Sequence, residues 1–172
     1  YATVGLPWIA SELREDSGEL EAATRGGLPQ LITLEDIQSD LHMHTTWSDG
    51  RASIKGMAEA ALALGLKYIV ITDHSKSSVI ANGLSVERVL AQQEEVRRVD
   101  AEMNGRIRVF HGIEMDILAD GSLDFPDEVL EKLDFVVASL HISLRQPREQ
   151  ITQRVLNAIN NPHVDLIGHP RG

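Results

Sequence analysis

The chain has 172 residues, 42% of them apolar, with no cysteine and a formal net charge of −10. That is enough apolar material for one domain with a real core, but it excludes a disulfide framework or a thiolate metal site, so any metal must be held by His, Asp or Glu. The acidic balance argues against a dedicated nucleic-acid-binding surface, which needs clustered Lys and Arg, though not against an enzyme acting on nucleic acid.

Residues 1 to 39 form a lead-in with seven acids (Glu12, Glu15, Asp16, Glu19, Glu21, Glu35, Asp36) against Arg14 and Arg25, which is half the net charge. Gly5-Leu6-Pro7, Gly26-Gly27 and Pro29 punctuate it. Loops are expected, with Leu20 to Thr24 a candidate short helix and Leu31 to Thr33 a candidate strand. No apolar run approaches the ~20 residues of a membrane span. With no charged-then-apolar leader, the expected location is the cytoplasm.

From Asp40 onward, short apolar runs alternate with helix-like stretches. The runs are Leu41 to His44, Tyr68 to Thr72, Ile107 to Ile117, Phe135 to His141 and Val164 to Ile167, several of them rich in Val and Ile as buried parallel strands are. Ser53 is placed to N-cap a helix burying Ile54, Met57, Ala61 and Leu64, and Ser85 one burying Val86, Val89, Leu90, Val96 and Val99. Pro126 with Asp127 and Glu128 makes a first helical turn, and Pro147 starts a helix with Ile151, Val155 and Ile159 on one stripe. Strand and helix alternating five times predict an α/β fold with right-handed crossovers and a parallel sheet or barrel.

Metal-competent side chains recur at the strand ends. In DLHMHTTWSDG, His42 and His44 are two residues apart, so on a strand both rings point to one face. Asp73 and His74 end the second run, Glu114 lies near the end of the third, His141 ends the fourth and His169 the fifth. A single His after a strand is ordinarily a hydrogen-bonded core or surface residue, but that explanation would have to hold independently at five strand ends. In (β/α) barrels, active sites assemble at this carboxyl end. Asp116 shares the face of Glu114 and is placed to orient a ligand imidazole. His111, three residues from Glu114, faces the other way and reads as structural, and His163 reads as a surface turn residue. Asp49, in a Ser-Asp-Gly turn beside His44, fits an Asx turn and ligation equally.

Imidazoles with carboxylates suit Zn²⁺, Mn²⁺ or Fe²⁺ rather than Mg²⁺ or Ca²⁺. Seven ligands are too many for one tetrahedral site, so two or three ions are implied, with Glu114 suited to bridging a pair. Metals about 3.5–4 Å apart stabilise both the attacking and the leaving oxygen of an in-line phosphoryl displacement. Phosphoester hydrolysis is the chemistry that follows. Lys76 and Arg145, after the second and fourth strands, lie on the metal side as candidate phosphate contacts, with solvent-facing charge as the ordinary alternative; Arg106 and Arg108 start the third strand at the opposite end.

HMHTTWSDG, ITDHS, GIEMDI, SLH and GHP, in this order, resemble the successive motifs of the PHP (polymerase and histidinol phosphatase) domain across residues 38 to 172. The resemblance implies a distorted (β/α)7-type barrel, truncated here to about five βα units, around a trinuclear metal centre holding Mn²⁺ or Zn²⁺. By position it implies His42, His44 and Glu114 on one metal, Glu114, His141 and His169 on the second, and Asp49 and His74 on the third, with Asp73 a supporting residue behind them. It also implies that Glu114, His42, His44 and His141 form the catalytic set. The lead-in, GLPWIASELREDSGELEAA followed by LPQLITLEDIQSDLHMHT, resembles the junction in bacterial family X DNA polymerases where the thumb end (residues 1 to 39) passes into a PHP domain (40 to 172). That implies a 3′-5′ exonuclease or 3′-end-processing activity in base excision repair, acting on DNA 3′ ends in gapped or damaged DNA, in a nucleoid-associated cytoplasmic enzyme. The polymerase core and the family's late Asp-x-His strands are not in this sequence, so it is expected to be part of a larger protein. Arg171 replaces the usual Thr of His-Pro-Thr-Gly. A small-molecule phosphatase of histidinol-phosphate type and a catalytically silent structural PHP domain are the alternatives.

Overall fold

A computed structural model describes residues 1–170; Arg171 and Gly172 lie outside it. Contacts along the chain divide it into two units, Tyr1–Ile37 and the residues from Gln38 onward. In the first, short 3-10 turns flank one helix, α1 (Glu19–Thr24). The Arg14 guanidinium stacks 4.5 Å from the centre of the Trp8 ring and donates to the Ile9 carbonyl from Nε and Nη2. The strand expected at Leu31 to Thr33 does not form. Thr33 instead starts a 3-10 turn whose Asp36 carboxylate accepts from Thr33 N and Oγ1, a local hydrogen-bonding alternative to a sheet ladder.

The second unit runs β1 (Ser39–Met43), α2 (Ile54–Ala63), β2 (Tyr68–Ile71), α3 (Val86–Met103), β3 (Arg108–Asp116), α4 (Asp127–Leu130), β4 (Phe135–Ser139), α5 (Arg148–Ile159) and β5 (Leu166–Ile167). All strands are parallel and pair in sequence order, forming a curled five-stranded half-barrel. Sequential order with one hand of crossover is what repeated βα units dictate. The expected caps form: Ser53 accepts from Gly56 N and Ser85 from Arg88 N. Helices α2 and α3 bury Ile54, Ala58, Val96 and Val99 against Ile69, Ile71 and Val109 of the sheet. Further along, Leu84, Val89, Phe125 and Leu130 close over Ile113, Met115 and Val136. Each fully buried Ile or Leu in these layers contributes roughly 2–3 kcal/mol. Among the described residues no helix is long and apolar enough to cross a membrane.

Two expectations of burial are corrected. Leu64 is the C-cap of α2, one residue past the helix's last position Ala63, and is 80% exposed. On α5, Ile159 is exposed, and the inward stripe passes through Arg154 and Ala158. Arg154 is 2% exposed because its guanidinium donates to the carbonyls of Ile117, Ile142 and Ser143 and to Gln146 Oε1. These acceptors lie in the loops that follow β3 and β4, where no ladder reaches them. A planar fork of donors meets several acceptors at once, which no apolar side chain can do. Arg154→Met keeps the aliphatic stem but strands buried carbonyls, so urea denaturation should show a loss of about 3 kcal/mol; a loss under about 0.5 kcal/mol would refute this account.

Candidate metal centre

Glu114 lies near the carboxyl end of β3, in the middle of the sheet, 1% exposed. Its main chain is clamped to the β2 extension, with Glu114 N donating to Asp73 O and Ser75 N donating to Glu114 O, both at 3.0 Å. Five imidazoles converge on its carboxylate. His42, His141 and His169 place Nε2 at 3.1, 3.2 and 2.8 Å from Oε1. His44 Nε2 and His74 Nδ1 lie 3.5 and 3.0 Å from Oε2. His42 and His44 converge although a register irregularity interrupts β1 between Asp40 and Met43. Asp49, half exposed, closes one side, 4.0 Å from His44 and 3.7 Å from His74.

His169 reaches the cluster through two local features. Gly168 lets the end of β5 approach β4: a Cβ there would fall 2.3 Å from Ser139 Oγ and 3.5 Å from the His42 ring. His169 itself takes φ 26°, a backbone conformation that L residues avoid and that is tolerated chiefly at functional sites.

Hydrogen bonding among these groups does not satisfy them. One carboxylate oxygen has two lone pairs and faces three ring nitrogens, while buried His44 Nδ1 and His74 Nδ1 make no hydrogen bond. The His44 and His74 rings stack at 4.3 Å. Three sets of donor atoms lie within 4.8 Å of one another: His42, His44 and Glu114; His44, Asp49 and His74; His74, Glu114 and His141. Nitrogen lone pairs without protons to accept, around an ionised carboxylate, are a donor set for divalent cations.

The electrostatics differ from ring to ring. Burial pushes the Glu114 carboxyl up, but hydrogen bonds from His141, His42 and His169 more than reverse this and hold it well below the usual carboxylate range. His44 is pushed down, by burial first and then by His74, which favours a neutral ring with a free lone pair. His42 is raised by its hydrogen bond to Glu114, and His141 is raised to about 10, first by its hydrogen bond to Asp116 and then by Glu114, so a cation at either Nε2 takes the place of a proton. Asp116 Oδ1 lies 2.8 Å from His141 Nδ1, and Ser78 Oγ donates to Asp116 Oδ2 at 2.7 Å. This pairing fixes the proton on Nδ1 and turns Nε2 toward Glu114.

Asp73 has a different task. It is fully buried and touches no ligand ring; it accepts from Thr45 N and Oγ1, Ser48 N and Oγ, and Gln92 Nε2. It therefore anchors the Thr45–Ser48 turn that separates His44 from Asp49. Gln92 Oε1 lies 3.2 Å from His111 Nε2, so α3 and β3 both brace the turn. Gln92 was not legible as part of the site, since a lone Gln on a helix carries no motif. Lys76 sits 4.0 Å from Asp124 and over the Phe125 ring, and Arg145 is exposed in the loop after β4. His163 is partly buried in the turn before β5, where its N–H donates to Asn161 Oδ1.

A parallel α/β sheet gathering this donor set at its carboxyl end defines a metal-dependent phosphoesterase. The chain belongs to the PHP domain family, whose model matches residues 40–172. Over all 172 residues it is 48% identical to the DNA polymerase/3′-5′ exonuclease PolX of Bacillus subtilis (strain 168), of which it covers 30%. A probable phosphatase of Thermoanaerobacter sp. (strain X514) is 36% identical over 138 residues, 76% of this chain and 53% of that protein. The chain thus spans about half or less of the length of these relatives. The crystal structure of histidinol phosphate phosphatase from Lactococcus lactis subsp. lactis, complexed with zinc, L-histidinol and phosphate, shares the fold. It superposes with a TM-score of 0.52 at 23% identity, covering 77% of this chain and 57% of that one.

Two outcomes follow for the bracing network. Gln92→Met should lower Mn²⁺ affinity about tenfold, the scale on which outer partners of metal ligands act, with far-UV circular dichroism unchanged; unaltered affinity in a titration would rule out the positioning role. His111 is pushed down to about 4, chiefly by burial. Between that value and its ordinary 6.5 the unfolded chain binds the proton that the fold refuses, so this contribution is complete above about 6.5 and is lost as pH falls toward about 4. Denaturation at stepped pH should show a shallower acid loss in His111→Gln than in the native protein, and identical slopes would contradict it.

Proposed function

We propose that this domain hydrolyses phosphodiesters at DNA 3′ ends, as the 3′-5′ exonuclease or 3′-end-processing part of a family X DNA polymerase in base excision repair. The observation that carries this reading is the reach of the similarity. The B. subtilis polymerase aligns with all 172 residues, including those ahead of the PHP match, whereas the Thermoanaerobacter phosphatase aligns with 76% of the chain. Residues 1 to 39 are then the end of the polymerase thumb and residues 40 to 172 the phosphoesterase domain. The partners are gapped or damaged DNA and the remainder of the polymerase chain, in the bacterial cytoplasm at the nucleoid.

In this reading His42, His44, Asp49, His74, Glu114, His141 and His169 hold two or three divalent ions, Mn²⁺ or Zn²⁺. Such ions lower the pKa of bound water and neutralise charge on phosphoryl oxygens. The chain's own residues do the rest. Glu114 remains ionised and sets the spacing of the imidazoles around it. Asp116 keeps His141 in one tautomer, and Asp73 fixes the turn carrying Asp49. Lys76 and Arg145, at the rim, contact the flanking phosphates. Hydrolysis breaks the bond from phosphorus to the 3′ oxygen of the penultimate nucleotide. The water oxygen stays on phosphorus, a proton passes to the leaving oxygen, and the products are a 5′-mononucleotide and a shortened strand.

The second reading, a phosphatase of small molecules, is favoured by the 36% identity to the Thermoanaerobacter protein. Full-length protein with added Mn²⁺ should release mononucleotides from a 3′-labelled single strand faster than phosphate from histidinol phosphate. Loss of an outer partner alone costs about 10–100-fold, so Glu114→Ala should slow strand degradation by more than about a hundredfold. A mutant rate equal to the native one would sink the assignment.

A further inference from the structure

The loop after β2 has a feature that metal binding leaves unused. A 3-10 turn, Val79–Ala81, leaves Val79 80% exposed and Ile80 fully exposed. With Ile142 these side chains line a cleft of about 450 Å³ that Asp49, His74 and His141 line as well. Bare branched aliphatic side chains that no core requires, set beside ligating residues, mark a binding surface.

The wall is held rigidly. Ser77 N and Oγ donate to Asp124 and Ser78 Oγ to Asp116, each at 2.7 Å. Asn82 closes the turn at φ 55° and donates from Nδ2 to the Trp47 and Ser48 carbonyls. Arg88 ties Asn82 O and Gly83 O to α3. A Cβ on Gly83 would fall 1.9 Å from Ser75 O, so the chain closes this tightly only with glycine. These bonds also consume the serine hydroxyls. What the turn presents to the cleft is therefore chiefly shape and apolar area, its serine protons being already donated to Asp124 and Asp116.

We propose that this cleft is the subsite for the base of the terminal nucleotide, a specificity element that rests on the phosphodiester reading above. A phosphate drawn against His74 and His141 places one of its substituents along the wall they share with the cleft. A nucleobase suits that wall because its flat face is apolar and binds by contact, without hydrogen-bond readout. Because the wall reads no base edge, all four bases fit.

The test measures binding to the full-length protein with Mn²⁺, by calorimetry, of thymidine 5′-monophosphate and of deoxyribose 5-phosphate, the same phosphate without a base. The native protein should prefer the nucleotide. Ile80→Ser should weaken nucleotide binding about tenfold, the scale of a contact in an apolar pocket, and leave the sugar phosphate unchanged. Ile80→Phe should tighten nucleotide binding alone by adding a stacking ring. Ile80 is fully exposed, so both variants fold. Equal affinity for the two ligands in the native protein, or nucleotide binding insensitive to both substitutions, overturns the proposal. An Ile80-dependent preference in a protein that fails to degrade a 3′-labelled strand upholds the cleft and defeats the nuclease reading.

Discussion

An ionised carboxylate with 1% of its surface exposed is the constraint around which this domain is arranged. Taking such a charge out of water costs several kcal/mol unless partners surround it. Glu114 receives them from every strand of the sheet other than its own: His42 in β1 and His44 just past it, His74 after β2, His141 after β4 and His169 after β5. Only a curled parallel sheet in sequence order brings the carboxyl ends of five strands around one point. The fold's topology and the site's chemistry are thus one requirement. Remove the carboxylate, and five rings are left crowded without a centre.

Two further buried carboxylates divide the supporting work. Asp116, two residues along β3 from Glu114, faces His141 and decides which of its nitrogens carries a proton. Asp73, at the end of the β2 extension, faces the opposite way and holds a turn of backbone. Their different partners follow from strand geometry: Asp116 shares the face of Glu114, while Asp73 precedes His74 by one residue and so points away from it. The adjacent residues of a single Asp-His motif therefore do unrelated jobs, His74 facing Glu114 and Asp73 bracing the turn. The brace runs through Gln92 into α3, so the long helix positions a loop as well as covering the sheet.

The βα alternation and the residues that cluster around Glu114 were legible in the sequence because both rest on short-range pattern. Apolar runs end in a metal-competent residue, and Ser53 and Ser85 cap helices by purely local hydrogen bonds. What was not legible depends on distant partners. Arg154 looks like an ordinary surface charge on a helix, and its burial is decided by carbonyls some ten to forty residues away in sequence. Assigning Ile159 to the core followed from the same blindness, since an aliphatic stripe outranks an arginine in any periodicity argument. Leu31 to Thr33 has strand-like composition, but Asp36 three residues beyond Thr33 offers the backbone a turn instead. The Val79–Ile80 wall was invisible because exposure, unlike hydrophobicity, is a property of the fold.

The acidity of the chain and the anionic substrate proposed for it are reconciled by where positive charge would reside. Lys76, 4.0 Å from Asp124, and the exposed Arg145 are left to the rim, and Arg154 is spent on carbonyls, so none of the three neutralises the phosphate held at the cluster itself. A surface of this composition does not attract a polyphosphate backbone by itself. Its acids are instead partly invested at the carboxyl end of the sheet, in a donor set suited to divalent cations. Such a site grips a single phosphate strongly and its neighbours weakly, which suits an enzyme that works on an end rather than along a duplex. An apolar wall beside the ions adds contact area without adding charge. In the reading proposed above, the terminal base supplies the affinity that a basic groove would supply elsewhere.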